Sequence, residues 1–374
     1  MRKINRRKFL IRLGEAAPFA ALGVFLLSDK SNLTRSDLIP AEGGETVLRP
    51  DEIGILGLAS LAPSGHNTQP WFIEYIEPFH WIIGNESSRW LPAVDPTQRE
   101  TVLSLGAFAE NLERAGAHYG YHADWYQIAT TNQEERMLEL RLIKSGASIG
   151  SDAERIRTRR TLRGKFSSTP LAGDDLKHLF NGEDQQFHFI PADGREGKWI
   201  NEATIEANRH QAYREPAQHE LSDWVRFSNR EARKFRDGLT TGSMEIEGAS
   251  GWFVRNLYIR ENVLSEDFRE RGIARVREQV AAHGGWILIT SPDNSTPSLI
   301  DAGRRFQRMF LSVRERNIGI HPMTQILEEE PTRNNLAGAI GINDPIQFIV
   351  RAGYTDSYPD PVSLRRPPEW FVRT

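Results

Sequence analysis

The chain of 374 residues contains no cysteine. Disulfide bonds, thiolate metal sites and a cysteine nucleophile are therefore excluded before any motif is considered. An excess of positive charge is also missing, because 47 lysines and arginines stand against 50 aspartates and glutamates, for a formal charge of −3. Without a basic field, the sequence offers no electrostatic footprint for nucleic acid.

The amino terminus has positive charge followed by an apolar run, residues 16–27, that is too short to span a bilayer comfortably. The pair Arg6-Arg7, followed by K-F-L, resembles the twin-arginine signal, which the bacterial export machinery for folded proteins reads. We expect residues 1–30 to be this signal, with an amphipathic first helix or a short membrane anchor as alternatives. The protein would then be exported to the periplasm or anchored on the outer face of the membrane. No good A-x-A cleavage site follows, so removal of the segment stays open.

After a polar linker at residues 31–45, the pattern changes to that of a folded domain. Pro50 and two acids predict the start of a buried helix over residues 53–62. Two strand-like runs follow, W-F-I-E-Y-I-E and W-I-I-G-N. A long helix then begins near D-P-T-Q-R-E, with one apolar stripe. Its stripe consists of Val102, Leu105, Ala109 and Leu112.

The second part of the chain repeats this plan. L-A-G-D-D-L-K-H-L-F resembles the first helix, G-G-W-I-L-I-T-S is a buried strand, D-A-G-R-R-F-Q-R-M-F begins a second long helix, and I-Q-F-I-V-R-A-G-Y is the last strand. We therefore predict an α+β pseudo-dimer, with one half at 46–150 and the other at 151–374. Residues 201–237 read as a charged helical region. The glycine-rich excursion at 235–252 is either a surface loop or a lid over a site.

Two short motifs contain most of the sequence's unusual chemistry. Residues 62–71, A-P-S-G-H-N-T-Q-P-W, combine a hydroxyl, an imidazole and two amides between a helix and a strand, which is more hydrogen-bonding variety than a connector needs. Trp71 at its end is expected to be a core anchor. Residues 159–163, R-R-T-L-R, are either a solvated surface cluster or an anion site. No residue has the pattern of a nucleophile or general base, and His118 and His122 have no evident partner for a metal site.

Both motifs resemble signatures of a known family. P-S-G-H-N-T-Q-P-W resembles the P-S-x-x-N-x-Q-P-W loop of the FMN-dependent nitroreductases, and R-R-T-L-R-G-K-F resembles their R-R-S-x-R-x-F signature. In dimeric members, each flavin lies at the subunit interface, between the arginine signature of one chain and the loop of the other. Here the first half keeps only the loop and the second half only the arginine signature. This organisation looks like the Acg-type branch, in which two nitroreductase-like halves are fused.

The resemblance implies a nitroreductase-like fold, a functional monomer and one FMN site. Arg159, Arg160 and Thr161 would hold the phosphate and ribityl end, because a phosphate dianion suits guanidinium groups. Arg163 would approach the N1/O2 edge, where reduced flavin is negative. The expected FMN-binding residues are Pro63, Ser64, Gly65, Asn67, Gln69, Arg159, Arg160, Thr161, Arg163, His321, Pro322, Met323, Thr324, Arg365 and Arg366.

Residues 321–324 would line the ring near N5, and the basic tail would reach the phosphate. The implied function is two-electron flavin chemistry on a small electron-poor or aromatic acceptor, with FMN rather than a side chain performing the redox step. The electron donor is open, because NAD(P)H is cytoplasmic and the protein is expected to be exported. The alternative is a flavin-binding or storage protein with a covered site and little activity.

Overall fold

The computed structural model describes residues 31–35, 46–145 and 152–374. The expected export signal and most of the linker lie outside the described residues. The helices are α1 (Pro50–Ala59), α2 (Arg99–His118), α3 (Asp152–Thr158), α4 (Gly173–Phe180), α5 (Arg195–Tyr213), α6 (Glu215–Trp224), α7 (Asn229–Phe235), α8 (Gly248–Leu257), α9 (Arg260–Val263), α10 (Glu266–Val280), α11 (Thr296–Ser312), α12 (Gln325–Glu328) and α13 (Glu330–Ile340). Within these ranges, none of the helices has the length and apolar character needed to cross a bilayer.

The strands form two main sheets and one small one. Their bounds are β1 (Trp71–Glu77), β2 (His80–Asn85), β3 (Tyr121–Gln127), β4 (Arg136–Lys144), β5 (Phe187–Pro191), β6 (Val225–Arg226), β7 (Leu239–Thr240), β8 (Gly285–Thr290), β9 (Ile318–Pro322), β10 (Ile346–Tyr354) and β11 (Val372–Arg373). The first sheet has the order β11-β1-β2-β4-β3, the second has β5-β8-β10-β9, and β6 pairs with β7.

The two main sheets repeat one topology. In the first, β1 pairs with β2, β2 with β4 and β4 with β3, all antiparallel. In the second, β5, β8, β10 and β9 pair in the corresponding order, again all antiparallel. In each half a short helix precedes the first strand, and a long helix joins the second strand to the third. The predicted α+β fold with two pseudo-symmetric halves is therefore confirmed.

The long helices α2 and α11 join the halves through reciprocal glycines. A β-carbon on Gly303 would lie 2.1 Å from the carbonyl oxygen of Leu103. A β-carbon on Gly106 would lie 2.2 Å from the carbonyl oxygen of Ile300. In each helix the glycine lies three positions after the residue whose carbonyl oxygen contacts the other helix. The missing side chain of each glycine lets the two backbones approach closely.

The core follows the predicted apolar stripes. On α2, Val102, Leu105, Ala109 and Leu112 are all fully buried. On α11, Phe306, Met309 and Phe310 lie on one apolar face and are buried as well. The anchor role predicted for Trp71 is confirmed, because its ring is inaccessible and stacks on Phe108 with centroids 4.7 Å apart.

Several boundaries differ from the sequence prediction. Helix α1 ends at Ala59, three residues early, because the chain turns before the loop. Helix α11 begins at Thr296, earlier than predicted, since Ser295 caps it by accepting a hydrogen bond from the Ser298 amide. The charged region resolves into three helices, and the glycine-rich excursion contains β7 and the start of α8.

Two long-range features make the halves unequal. Between β5 and β8 the second half inserts helices α5 to α10. After β10 the tail returns to the first half, where Val372 pairs in parallel with Ile73 at the edge of the first sheet. This added strand was not predicted, because two residues carry no usable periodicity.

Candidate functional site

A cavity of about 300 Å³ lies where the halves meet. The first half contributes the loop at residues 63–66 and one face of α2, including Leu103 and Ala107. The second half contributes Phe306 of α11, the arginine signature and the end of β9. The expected FMN-binding residues that line this cavity are Pro63, Ser64, Gly65, Thr161, Arg163, His321, Pro322 and Thr324. Chain segments about a hundred and about two hundred and fifty residues beyond the loop are thus brought to one place.

The other expected site residues do not line the cavity. Asn67, Gln69, Arg159, Arg160, Met323, Arg365 and Arg366 are all buried. Met323 packs in the apolar cluster beside Leu288 and Ile349. The remaining six hold the site's backbone in place.

The loop contains strained backbone conformations, and the side-chain amides of Asn67 and Gln69 hold the loop in place. His66, Asn67 and Gln69 have φ values of 45°, 55° and 54°, in the left-handed region that is unfavourable for residues other than glycine. Asn67 Nδ2 donates to the carbonyl oxygens of Gly238, at 3.1 Å, and Leu364, at 3.2 Å. The Gly238 amide in turn donates to the Asn67 carbonyl oxygen at 3.2 Å. The Asn67 amide group therefore ties the first half's loop to two segments of the second half.

Gln69 makes the equivalent connection further along the loop. Its Nε2 donates to the Arg236 carbonyl oxygen at 2.9 Å, and its Oε1 accepts from the Arg366 amide at 2.9 Å. Arg366 Nη2 donates to the carbonyl oxygens of Gln69, at 2.6 Å, and Trp71, at 2.8 Å. The tail arginine that was expected to reach a phosphate therefore clamps the loop in this structure.

Three arginines, Arg35, Arg159 and Arg365, converge beside the loop without a carboxylate. Arg159 Nη2 donates to the Leu61 carbonyl oxygen at 2.8 Å, and Arg365 Nη2 donates to that of Ala62 at 2.9 Å. Burial, and then the charge of Arg35, lowers the pKa of Arg159 to about 9. Burial lowers the pKa of Arg35 to about 10. In the described part of the chain these three arginines form no ion pair, so an anion would relieve their mutual repulsion.

The excursion at residues 235–252 connects both motifs. At one end, the carbonyl oxygens of Arg236 and Gly238 accept hydrogen bonds from the side-chain amides of the loop residues Gln69 and Asn67. At its other end Arg163 Nη1 donates to the Ser243 carbonyl oxygen at 2.7 Å, and the Arg163 amide donates to Glu245 Oε1 at 2.9 Å. Leu239, between these ties, lines the cavity. The excursion therefore covers part of the cavity and joins the loop to the arginine signature.

Two glutamates also line the cavity, and the sequence analysis did not predict them. Glu100 and Glu328 both line it, and the Thr324 hydroxyl lies 2.8 Å from Glu100 Oε1 and 2.9 Å from Glu328 Oε1. Burial, and then the charge of Glu100, raises the pKa of Glu328 well above its usual range. In sequence, both residues look like ordinary helix-end acids, because only the fold brings them within reach of one hydroxyl.

Two histidines complete the wall. Burial lowers the pKa of His66, and burial followed by the charge of Arg163 lowers that of His321 well below its usual value. Both shifts favour the neutral ring. In the described ranges their Nδ1 atoms have no hydrogen-bond partner, which leaves two polar groups for a ligand. The same ranges contain no group of three or more side chains placed to bind a metal ion.

Similar proteins were found by sequence. Over 319 residues the chain is 22% identical to "Probable NAD(P)H nitroreductase PigM" of Serratia sp. (strain ATCC 39006), covering 80% of this chain and 86% of that protein. Over 336 residues it is 24% identical to acg of Mycobacterium tuberculosis, named provisionally as an NAD(P)H nitroreductase, covering 86% of this chain and 96% of that protein. The chain is therefore similar in sequence to nitroreductases over most of its length. No protein-family model matches it.

Likenesses to solved structures are partial. A crystal structure from Anabaena variabilis ATCC 29413, described provisionally as a nitroreductase, is 12% identical and covers 86% of this chain and 85% of that one, with a TM-score of 0.38. The FMN-dependent nitroreductase NfnB from Mycobacterium smegmatis is 14% identical and covers 55% of this chain and 88% of that one, with a TM-score of 0.35. The sequence similarity covers 86% of this chain and therefore includes parts of both halves.

Proposed function

We propose that the protein is an FMN-binding oxidoreductase of nitroreductase type, which transfers two electrons to a small electron-poor or aromatic acceptor. One observation supports this most strongly. The P-S-G-H-N loop of the first half and the arginine signature of the second half line the same cavity, although each half lacks the other motif. A fused pseudo-dimer that keeps one loop and one signature would have one flavin site, formed by a single chain.

The residues present fit FMN. The three converging arginines lie beside the loop without a carboxylate partner in the described residues, and their positive charge would favour a phosphate placed at this end of the cavity. Leu103 and Phe306 supply apolar surface for the ring faces, while Arg163 supplies a cation for the N1/O2 edge. When bound, FMN would supply the redox chemistry. The chain's own residues would bind it, orient it and exclude water from it.

The partners and location follow from the sequence expectations. We propose that the twin-arginine export machinery carries the protein out of the cytoplasm after folding, to the periplasm or the outer face of the membrane. An exported enzyme would be separated from NAD(P)H, although the relatives found by sequence are named NAD(P)H nitroreductases. We therefore propose a quinone or a protein as electron donor, and a monomer as the functional unit.

The absorption spectrum of the purified protein tests the cofactor directly. We expect the two flavin bands in the blue and near-ultraviolet, and release of FMN on denaturation. Dithionite-reduced protein, mixed anaerobically with a panel of nitroaromatics and quinones, should return to the oxidised spectrum. A colourless protein that takes up no added FMN would refute the cofactor. Turnover of no acceptor by the reduced flavoprotein would refute the oxidoreductase activity alone.

Replacement of Arg163 should weaken FMN binding. Arg163→Ala removes a cation from the cavity wall, and loss of a charged hydrogen-bond donor costs about 1.5–3 kcal/mol, or roughly 10- to 150-fold in Kd. Arg163→Lys keeps the charge but loses the planar guanidinium group, so its Kd for FMN should lie between those of the wild-type protein and Arg163→Ala. Titration of apoprotein with FMN, followed by quenching of flavin fluorescence, measures both. Arg277→Ala, at an exposed position of α10, is the control, and equal affinity in all four proteins would contradict the placement of Arg163.

A flavin-storage protein is the second candidate, and the excursion at residues 235–252 favours it. This segment is tied to the loop and to the arginine signature by buried hydrogen bonds, and Leu239 lies on the cavity. A firmly closed cover would retain FMN and exclude a donor. The discriminating measurement is the rate at which NADH or NADPH bleaches bound FMN. Rapid bleaching would argue against storage, whereas slow bleaching together with slow FMN release would favour it.

A further inference from the structure

We propose that Glu328 is the proton donor of this cavity. It holds a proton beside the acceptor, in a chain with Thr324 and Glu100, and regains that proton from solvent through a second cavity on its other side. This inference rests on the proposed FMN-dependent reduction of an acceptor. It assigns a residue to the proton that such a reduction consumes, at a position that neither motif contains.

The number of hydrogens available for the contacts around Thr324 indicates that one carboxyl group is protonated. The Thr324 hydroxyl has one hydrogen but lies within hydrogen-bond distance of two carboxyl oxygens, Glu100 Oε1 and Glu328 Oε1. One of these contacts must therefore be donated by a carboxyl group. Gln211 Nε2 donates to Glu328 Oε2 at 2.5 Å, which leaves Oε1 as the protonated oxygen of Glu328. Glu328 then donates to Thr324, and Thr324 donates to Glu100.

The remaining contacts agree with this assignment. Arg99 Nη2 lies 3.2 Å from Glu100 Oε1, so Glu100 has a cation for its negative charge. Glu328 forms no ion pair within the described ranges, and both its burial and Glu100 raise its pKa. Burial, and then Glu100, also raises the pKa of the nearby Asp95. The titratable and charged groups around Glu328 in the two cavities are His66, Asp95, Arg99, Glu100, Arg163, His321, Arg333 and Asp344.

Glu328 lies between two cavities. It lines the candidate flavin cavity, and it also lines a second cavity of about 480 Å³ beside Asp95 and Arg99. Arg333, on the wall of the second cavity, is exposed to solvent. A carboxyl group in this position can release a proton on the inner side and be reprotonated from the outer side.

The chemistry balances for a quinone. When 1,4-benzoquinone gains a hydride from reduced FMN, it becomes the hydroquinone monoanion, and FMN is left oxidised. Transfer of the Glu328 proton to the second oxygen breaks one O–H bond, forms another and completes the neutral hydroquinone. The Glu328 carboxylate would then be reprotonated by a solvent proton that arrives through the second cavity, so the whole reaction consumes one proton from solvent. Donation by a placed acid typically contributes about 10²- to 10⁴-fold to such a step.

Glu328→Gln is the matched variant, because a glutamine can reproduce the hydrogen bonds of a protonated glutamate. Its amide nitrogen would donate to Thr324, and its oxygen would accept from Gln211. We therefore expect a folded protein. Infrared spectra of the holoprotein, with and without ¹³C-glutamate, should show a protonated carboxyl band at pH 7 that Glu328→Gln removes. The exposed Glu330→Gln should keep it. Absence of this band from the wild-type protein would overturn the proposal without any variant.

Stability against pH gives a second readout. The raised pKa means that folded protein keeps a proton which unfolded protein releases above its ordinary pKa of about 4.5. The free energy of unfolding should therefore fall as pH rises from about 4.5 towards the raised pKa. Glu328→Gln should lack this decline, while Glu330→Gln keeps it. Parallel pH curves for all three proteins would overturn the assignment of the proton to Glu328.

Kinetics separate this inference from the proposed function. When reduced holoprotein is mixed with 1,4-benzoquinone, Glu328→Gln should be reoxidised about 100-fold more slowly than the wild-type protein. Its reoxidation rate should also lose the pH dependence. Glu330→Gln should be reoxidised at the wild-type rate. An unchanged rate and pH profile in Glu328→Gln would overturn the proton-donor role and leave the flavin function standing. A wild-type protein that binds no FMN would overturn both. One that binds FMN but reduces no quinone would overturn the donor role only.

Discussion

Gly303→Ala should strongly destabilise the fold of this protein. The new β-carbon would lie 2.1 Å from the Leu103 carbonyl oxygen, and a backbone atom cannot move aside as a flexible side chain can. The helices α2 and α11 would have to separate, so the halves would lose packing along their shared core. Overpacking of this kind costs about 1–3 kcal/mol or more. We expect a decrease of about 3 kcal/mol in the free energy of unfolding, measured by urea denaturation.

The control for this prediction is Gly272→Ala. Gly272 lies in the middle of α10 and is exposed, and beyond its chain neighbours and its own helix backbone no atom lies within 4 Å of the place that a β-carbon would take. Alanine should stabilise the helix there by about 0.5–1 kcal/mol. Gly106→Ala should behave like Gly303→Ala, because its β-carbon would meet the Ile300 carbonyl oxygen at 2.2 Å. Stabilities of Gly303→Ala and Gly272→Ala that agree within error would contradict the close crossing.

Asn67→Ala should also destabilise the fold strongly, and weaken FMN retention with it. The change leaves the carbonyl oxygens of Gly238 and Leu364 without the Asn67 donor, and removes the acceptor for Arg365 Nη1 at 2.7 Å. Buried groups without partners cost about 1–3 kcal/mol each, and part of this is recovered by water or relaxation. Alanine is also unfavourable at a φ of 55°. We expect a loss of about 3 kcal/mol in urea denaturation.

Asn181→Ala separates the backbone cost from the clamp. Asn181 has a φ of 48° at the end of α4, but its side chain is exposed and makes no hydrogen bond with the described residues. Alanine there should cost only the left-handed conformation, about 1 kcal/mol. If both variants lose the same stability, Asn67 is needed for its φ angle and not for its connections between the halves.

The large elements could be predicted because their signals are local. The apolar stripes of α2 and α11 have a helical period, and the last strand was predicted with the bounds that β10 has. Helix ends were less accurate, since they depend on capping contacts such as that of Ser295. The strand β11 was missed because two residues pair with β1 only after the tail has crossed the molecule.

The candidate site was predictable in part. The residue types of the loop and of the arginine signature identified two of its walls, and eight of the fifteen expected residues line the cavity. Arg365 and Arg366 were expected to reach a phosphate, but they contact Ala62, Asn67 and Gln69 in this structure. The sequence shows that a guanidinium group is present. Whether that group binds a phosphate or a backbone carbonyl oxygen depends on which acceptors lie near it in the folded protein.

The sequence by itself determined that the chain has two halves and that each keeps the motif the other lacks. These properties follow from periodicity and residue type along the chain. Only the tertiary structure decided that Asn67 is a clamp and that Glu328 carries a proton. Glu100 and Thr324 are 224 residues apart in sequence, yet the Thr324 hydroxyl lies within hydrogen-bond distance of both Glu100 and Glu328. The protonation of a carboxyl group depends on its burial and on the charges around it, and both arise only when the two halves meet.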